Sequence, residues 1–168
     1  RYSTTGSSRA TNAQPLLEEY VGGQVAVGHN GNLINAPLLR DVYERHGHIF
    51  HTSTDTEVII HLLAYHHLSK EDPLVSALQH LQGAYSLVFL FKDRIEAVRD
   101  PWGWRPLVLG RTADGCPCVA SETVAFDAIG ASFLREVEPG EIVTISSEGI
   151  RTRRFADNPS PAHCIFEH

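Results

Sequence analysis

The chain has 168 residues, 42% hydrophobic and 20% charged, with a formal net charge of −6, an ordinary globular mixture with room for one substantial core. The acidic balance and the thin basic set Arg151, Arg153 and Arg154 argue against a nucleic-acid partner, and no apolar run is long enough to cross a bilayer. Three cysteines, an odd count, suit a reducing cytoplasm better than a disulfide framework.

The chain starts at Arg1 and contains no methionine, which reads as a processed chain or an excerpt of something longer. Residues 1–20 are polar and read as loop. Residues 24–29 read as a buried strand, followed by His29-Asn30-Gly31-Asn32-Leu33-Ile34-Asn35. A helix is predicted from Ala36 to Arg45, with Asn35 as N-cap, Pro37 in the first turn and Gly47 as its stop. Leu38, Leu39, Val42 and Tyr43 make its apolar face, and Asp41 can pair with Arg45. Thr54-Asp55-Thr56-Glu57 has capping-box spacing, with Thr54 at N-cap and Glu57 at N3, ahead of a helix carrying Val58, Ile59, Leu62, Leu63 and Tyr65. A third helix is predicted from Pro73 to Gln82, ended by Gly83.

From Ala84 the period changes to strands. Tyr85 to Phe91 reads as a strand covered on both faces, and Lys92-Asp93 turns it into Ile95 to Val98. Leu107 to Leu109 and Cys118 to Ala120 follow around an Asp114-Gly115 hairpin. Glu141 to Ser146 and Gly149 to Phe155 form the last pair, turning at Ser147-Glu148. Helices grouped between strands favour an α+β layered fold. The Pro/Asn-rich stretch 157–162 reads as a boundary, giving one domain over 1–156 and a connecting segment over 157–168.

Asn-Gly bends cheaply. A turn there presents the Gly31 N–H and the Asn30 side-chain amide side by side, and two fixed donors of that kind hold a developing oxyanion, worth a few kcal/mol in acyl transfer. Taken alone, the pair reads as a surface turn. Arg1 alone reads as a terminal charge, and Asp55 as a carboxylate in a helix's first turn. Asp100 and Arg105 read as a structural loop salt bridge, and Glu122 and Asp127 carry no assigned role. Cys116 and Cys118 flank Pro117 on a strand and read as buried. His46, His48, His51, His61, His66, His67 and His80 lack tight ligand spacing, so no zinc site is expected.

Five stretches in order resemble the glutamine-hydrolysing domain of the amidophosphoribosyltransferase (glutamine phosphoribosylpyrophosphate amidotransferase) family. They are Arg1-Tyr2-Ser3-Thr4-Thr5-Gly6, His29 to Leu33, Ser53 to Glu57, Asp100-Pro101-Trp102-Gly103-Trp104-Arg105-Pro106-Leu107, and Ser121 to Asp127 leading into Leu134 to Glu141. The first three recur in class II amidotransferases; the last two resemble the purine enzyme. The resemblance implies an N-terminal-nucleophile hydrolase fold, an αββα sandwich with its N-terminal strands missing. It implies that Asn30 and Gly31 form the oxyanion hole, that Arg1 clasps the glutamine α-carboxylate, that Asp55 receives the α-ammonium, and that Thr4 belongs to the glutamine-binding loop.

The family's nucleophile is an N-terminal cysteine. Cys116, Cys118 and Cys164 are internal and none offers a free α-amino group. The 168 residues are therefore expected neither to hydrolyse glutamine nor to make 5-phosphoribosylamine, the first committed purine intermediate. The partners implied are L-glutamine and, through a phosphoribosyltransferase domain lying outside this sequence, phosphoribosylpyrophosphate with Mg2+. A cytoplasmic homo-oligomer is implied for the intact protein. Cys164-Ile165-Phe166-Glu167 resembles a segment where some family members place one ligand of a [4Fe–4S] cluster; a full site needs four thiolates, so within this chain no cofactor is expected and Cys164 is expected as a free thiol. Two alternatives share these motifs: the glutaminase domain of another class II amidotransferase, and a non-catalytic amidotransferase-like domain that binds glutamine or a partner.

Overall fold

A computed structural model describes residues 9–68, 72–156 and 162. After a 3-10 turn at Ala10–Asn12 come β1 (Leu16–Tyr20), β2 (Gly23–Leu33), α1 (Ala36–Arg45), α2 (Thr56–His66) and α3 (Pro73–Leu78). Then follow β3 (Gly83–Leu90), β4 (Arg94–Arg99), β5 (Val108–Arg111), β6 (Pro117–Ala120), α4 (Val124–Ile129), β7 (Ser132–Glu136), β8 (Glu141–Ser146) and β9 (Gly149–Arg154). The strands form two antiparallel sheets, one ordered β1-β2-β3-β4-β8-β9 and one ordered β6-β5-β7.

The period-2 alternation of the strands decides what each face covers. On β2, Val25, Val27, His29, Gly31 and Leu33 are buried. Val27, Leu87, Phe89, Val98 and Ile142 meet Val58, Ile59 and Leu62 of α2 and Leu78 of α3, so the helices cover this side of the large sheet. Each such fully buried aliphatic contributes roughly 1.5–3 kcal/mol before conformational entropy is subtracted. Ala97 and Val143, on the opposite face, pack with Leu109 of the small sheet and with Leu107 just before β5. Phe126 of α4 covers the outer face of the small sheet, where a Cβ on Gly110 would stand 2.7 Å from its ring. The layers therefore run helices, large sheet, small sheet, helix: the expected αββα sandwich. Among the described residues no helix is long and apolar enough to cross a membrane.

Several local expectations hold. Helix α1 spans the predicted residues, Asp41 pairs with Arg45 at 3.0 Å, and Gly47 follows the helix end at φ +87°. The three hairpins turn where expected. Others are corrected. The Asn-Gly pair is not a turn: β2 continues to Leu33 because β3 pairs with it up to Gly83. Asn35 does not cap its helix. Its side chain donates to the His80 carbonyl and accepts from the Gln82 N–H, tying α1 to the approach to β3.

Nor is there a capping box. Glu57 reaches past Thr54 to accept the His51 and Thr52 N–H groups and the Thr52 hydroxyl. Helix α3 stops at Leu78, and Gly83 opens β3 instead of ending the helix. Leu38 and Val42 are exposed, as is Tyr65, because α1 and α2 bury only their inner rows. Cys116 is exposed in the β5–β6 hairpin, with Cys118 half-buried on β6. Strand β1 overturns the reading of residues 16–20 as loop, since they pair with β2, and β7 and α4 carry no signal read from the sequence.

Candidate active site around the end of β2

The last third of β2 carries the motif residues. Gly31 sits at φ +141°, and a Cβ there would stand 2.0 Å from the Ala84 carbonyl oxygen. Gly83, across the ladder at φ +142°, would clash likewise with the Asn32 carbonyl at 2.2 Å. Only glycine fits either place, and the pair lets β2 and β3 close tightly at this end. Alternation then sends the Asn30 side chain to the face that looks at the small sheet. There its amide donates to Ser121 Oγ at 3.1 Å. Asn30 and Ser121 border a cavity of about 270 Å3 between the two sheets, with Gly28, Ser86, Leu107 and Ala120. That is near the lower end of the range for small-molecule sites, about 300–1,000 Å3.

Asp55 stands behind the strand. It is 4% exposed, and its Oδ2 accepts the Leu33 N–H at 3.0 Å. Its Oδ1 lies 3.6 Å from His29 Nδ1, which is also 3.2 Å from Thr56 Oγ1. Burial pushes the Asp55 carboxyl up, but the His29 ring, the Leu33 N–H and its own backbone N–H outweigh it, so the net shift is downward. Gln14 closes this network: its Oε1 accepts the His29 N–H at 2.8 Å and its Nε2 donates to Thr56 Oγ1 at 3.2 Å.

The structure thus brings Asn30, Gly31 and Asp55 together around one strand end, in two groups. Asn30 faces the inter-sheet cavity, whereas Asp55 grips the Leu33 main chain and does not border that cavity. Gly31 lies between them on β2. Arg1, Thr4 and Cys164 lie outside the described residues. Sequence reasoning missed Ser121, Gln14, Thr56 and the separate part of His29. Ser121, Thr56 and His29 stand inside the resemblance motifs, but only the fold shows which side chains touch.

Asp100 is not in a salt bridge with Arg105. Its fully buried carboxylate accepts the N–H groups of Tyr85, Trp102, Trp104 and Arg105, pinning the loop that follows β4. Burial still holds its carboxyl above the ordinary value. Among the described residues, the metal-capable grouping is Glu18, His51 and Glu57. There Glu57 already accepts three hydrogen bonds and lies 3.7 Å from Arg40, so its charge is compensated without a cation. The other close histidines face each other: His48 Nδ1 is 3.0 Å from His61 Nδ1, and His66 stacks on His80.

Comparison with known proteins places the chain in a family. The profile described as "Glutamine amidotransferase domain" matches residues 1–128. Amidophosphoribosyltransferase 2, chloroplastic, of Arabidopsis thaliana is 49% identical over 172 residues, covering 100% of this chain and 30% of that protein. The Bacillus subtilis amidophosphoribosyltransferase is 42% identical, with 100% and 36% covered. The chain thus spans about a third of the length of these relatives. The solved glutamine phosphoribosylpyrophosphate amidotransferase from B. subtilis, complexed with ADP and GMP, superposes with a TM-score of 0.86 at 40% identity, over 94% of this chain and 35% of that one. A solved structure described as a "glutamine aminotransferase class-II domain protein" from Silicibacter pomeroyi shares the fold at TM-score 0.56 and 18% identity, over 79% of this chain and 66% of that one. On its sequence match and its αββα layering, the chain belongs to the glutamine amidotransferase domain family.

Proposed function

We propose that this chain is the glutamine-hydrolysing, ammonia-supplying part of an amidophosphoribosyltransferase, the enzyme that converts glutamine and phosphoribosylpyrophosphate to 5-phosphoribosylamine. In this reading the Asn30 side-chain amide and the Gly31 main-chain N–H stabilise the oxyanion as the glutamine amide is attacked. Such donors are worth about 10²–10³ in rate apiece. Asp55 receives the α-ammonium, Arg1 clasps the α-carboxylate through its planar fork, and Thr4 belongs to the loop over the substrate. The attacking group is a cysteine whose own α-amino group takes the proton. Of the described cysteines, Cys116 is exposed in a hairpin and Cys118 lies on β6, so neither fits that part. Phosphoribosyl transfer, its Mg2+, any [4Fe–4S] ligation by Cys164 and oligomerisation belong to the longer protein and carry no step here.

The observation that carries the reading is the placement of the Asn30 amide at a small inter-sheet cavity by a strand end that only glycine permits. The test uses the full-length protein. Asn30→Ala is expected to abolish phosphoribosylamine formation from glutamine while sparing formation from free ammonia. Equal loss with both nitrogen sources would contradict the assignment. The 168-residue chain by itself is expected to release no ammonia from glutamine; turnover above a buffer blank would overturn that.

A further inference from the structure

Two buried polar atoms among the described residues have no hydrogen-bond partner, and one is His29 Nε2. The other ring nitrogen of the same histidine is surrounded by polar partners. Nδ1 lies between Thr56 Oγ1 at 3.2 Å and Asp55 Oδ1 at 3.6 Å, and the side chain is fully buried. Thr56 Oγ1 can donate or accept at 3.2 Å and a carboxylate only accepts, so the tautomer with its hydrogen on Nδ1 is the one that suits both neighbours. A histidine buried with one nitrogen unused is a poor structural choice: an apolar residue of that size would fill the space without an orphaned atom. The ring's place is explained by what Nδ1 does for Asp55.

The ring is itself held from two sides. Gln14 Oε1 fixes the His29 main-chain N–H, and Gln14 Nε2 fixes the Thr56 hydroxyl that contacts Nδ1. Two residues earlier, Asn12 exchanges a pair of hydrogen bonds with Ser53, at 2.9 and 3.1 Å. The segment 12–14 is thereby fastened to 53–56, the stretch that presents Asp55. Among the described residues, the titratable group in contact with Asp55 is His29, and the other groups that act on its carboxyl are backbone N–H groups of Leu33 and of Asp55 itself.

We propose that His29 and Gln14 are positioning residues for glutamine binding: Gln14, through Thr56, fixes the imidazole, and the imidazole fixes the Asp55 carboxylate in the orientation that receives the substrate's α-ammonium group. The proposal rests on the reading of Asp55 given above. It assigns no proton transfer to His29, and no bond to substrate is made by either residue. The depressed Asp55 carboxyl agrees with such a role, since the same contacts that aim a carboxylate also favour its charged form.

The test combines an NMR titration of the Asp55 carboxyl in this chain with steady-state kinetics of the full-length protein. His29→Leu is expected to raise the Asp55 pKa, and to raise the glutamine KM about tenfold or more, the weight of a hydrogen bond to a charged group. The ammonia-dependent kcat is expected to stay unchanged. His29→Asn puts an amide nitrogen where Nδ1 stands and is expected to restore both readouts. Gln14→Ala, at a half-buried site that threatens folding less, is expected to raise KM about fivefold. If His29→Leu and Gln14→Ala leave the Asp55 titration and the KM where they were, while Asp55→Asn raises KM, the positioning proposal is overturned and the Asp55 reading stands. If Asp55→Asn leaves KM unchanged, the reading of Asp55 is overturned and this proposal with it.

Discussion

Replacing Gly31 by alanine tests the tight closure on which the site depends. The new Cβ would meet the Ala84 carbonyl oxygen at 2.0 Å, where ordinary contact begins at 3.4 Å, so β2 and β3 must part by about 1.4 Å. A hydrogen bond stretched that far is lost. The pairings at stake are Gly31 with Tyr85, Asn32 with Ala84 and Leu33 with Gly83. Losing two or three at roughly 1 kcal/mol each, plus roughly 1–3 kcal/mol of backbone strain at positive φ, gives about 3–6 kcal/mol. For a chain of this size that lowers Tm by about 6–24 °C.

Gly23 is the control. It lies on the same strand at φ +103° with nothing within 4 Å of the place an alanine methyl would take, so Gly23→Ala meets only the backbone term, roughly 1–3 kcal/mol. Urea unfolding of both variants beside the parent chain, at matched m-values, measures the difference. Gly31→Ala destabilising no more than Gly23→Ala would show that the strands are not closed as described.

The remaining expectations concern the carboxylates and the amide. Asp100→Ala strands the Trp102 and Tyr85 N–H groups, bonded at 2.9 and 3.2 Å, and should cost about 2–4 kcal/mol by urea unfolding. Because the Asp55 carboxyl is held below its ordinary value, its stabilisation is present above the unfolded carboxylate pKa, about 3.9, and is lost as pH falls through the folded value. Asp100 has the opposite sign: held above its ordinary value, it contributes stability that is present below the unfolded pKa and lost as pH rises through the folded one. Stability curves across acid pH should therefore be flatter below pH ~4 for Asp55→Asn than for the parent chain. Asn30→Asp keeps the size but exchanges a donor for an acceptor, and in the full-length protein glutamine-dependent turnover should fall about 10²–10³-fold or more.

An α+β layered fold was legible because helices and strands occupy separate stretches, whereas the αββα sandwich came from the resemblance of the motifs. Strand β1 was not: Leu-Leu-Glu-Glu-Tyr does not alternate cleanly, and it becomes a strand by pairing with β2 through five register partners. Strand β7 leaves Phe133 and Leu134 exposed, so no alternation announced it. The Asn-Gly signal failed for a related reason. Asn-Gly favours a two-residue turn locally, but here the ladder to β3 and the Asp55 grip on Leu33 keep the strand extended through it. Asn30, Gly31 and Asp55 were singled out through the resemblance of their motifs to the family. Gln14, Thr56 and Ser121 were not, because their roles arise from contacts 42 and 91 residues apart in the chain.

The most direct test is a crystal structure of the full-length protein with L-glutamate, the product of hydrolysis, bound. The γ-carboxylate is expected beside the Asn30 side-chain amide and the Gly31 N–H, with the α-ammonium within hydrogen-bonding reach of Asp55. Glutamate seated elsewhere, or held at the end of β2 with its ammonium directed away from Asp55, would contradict the assignment.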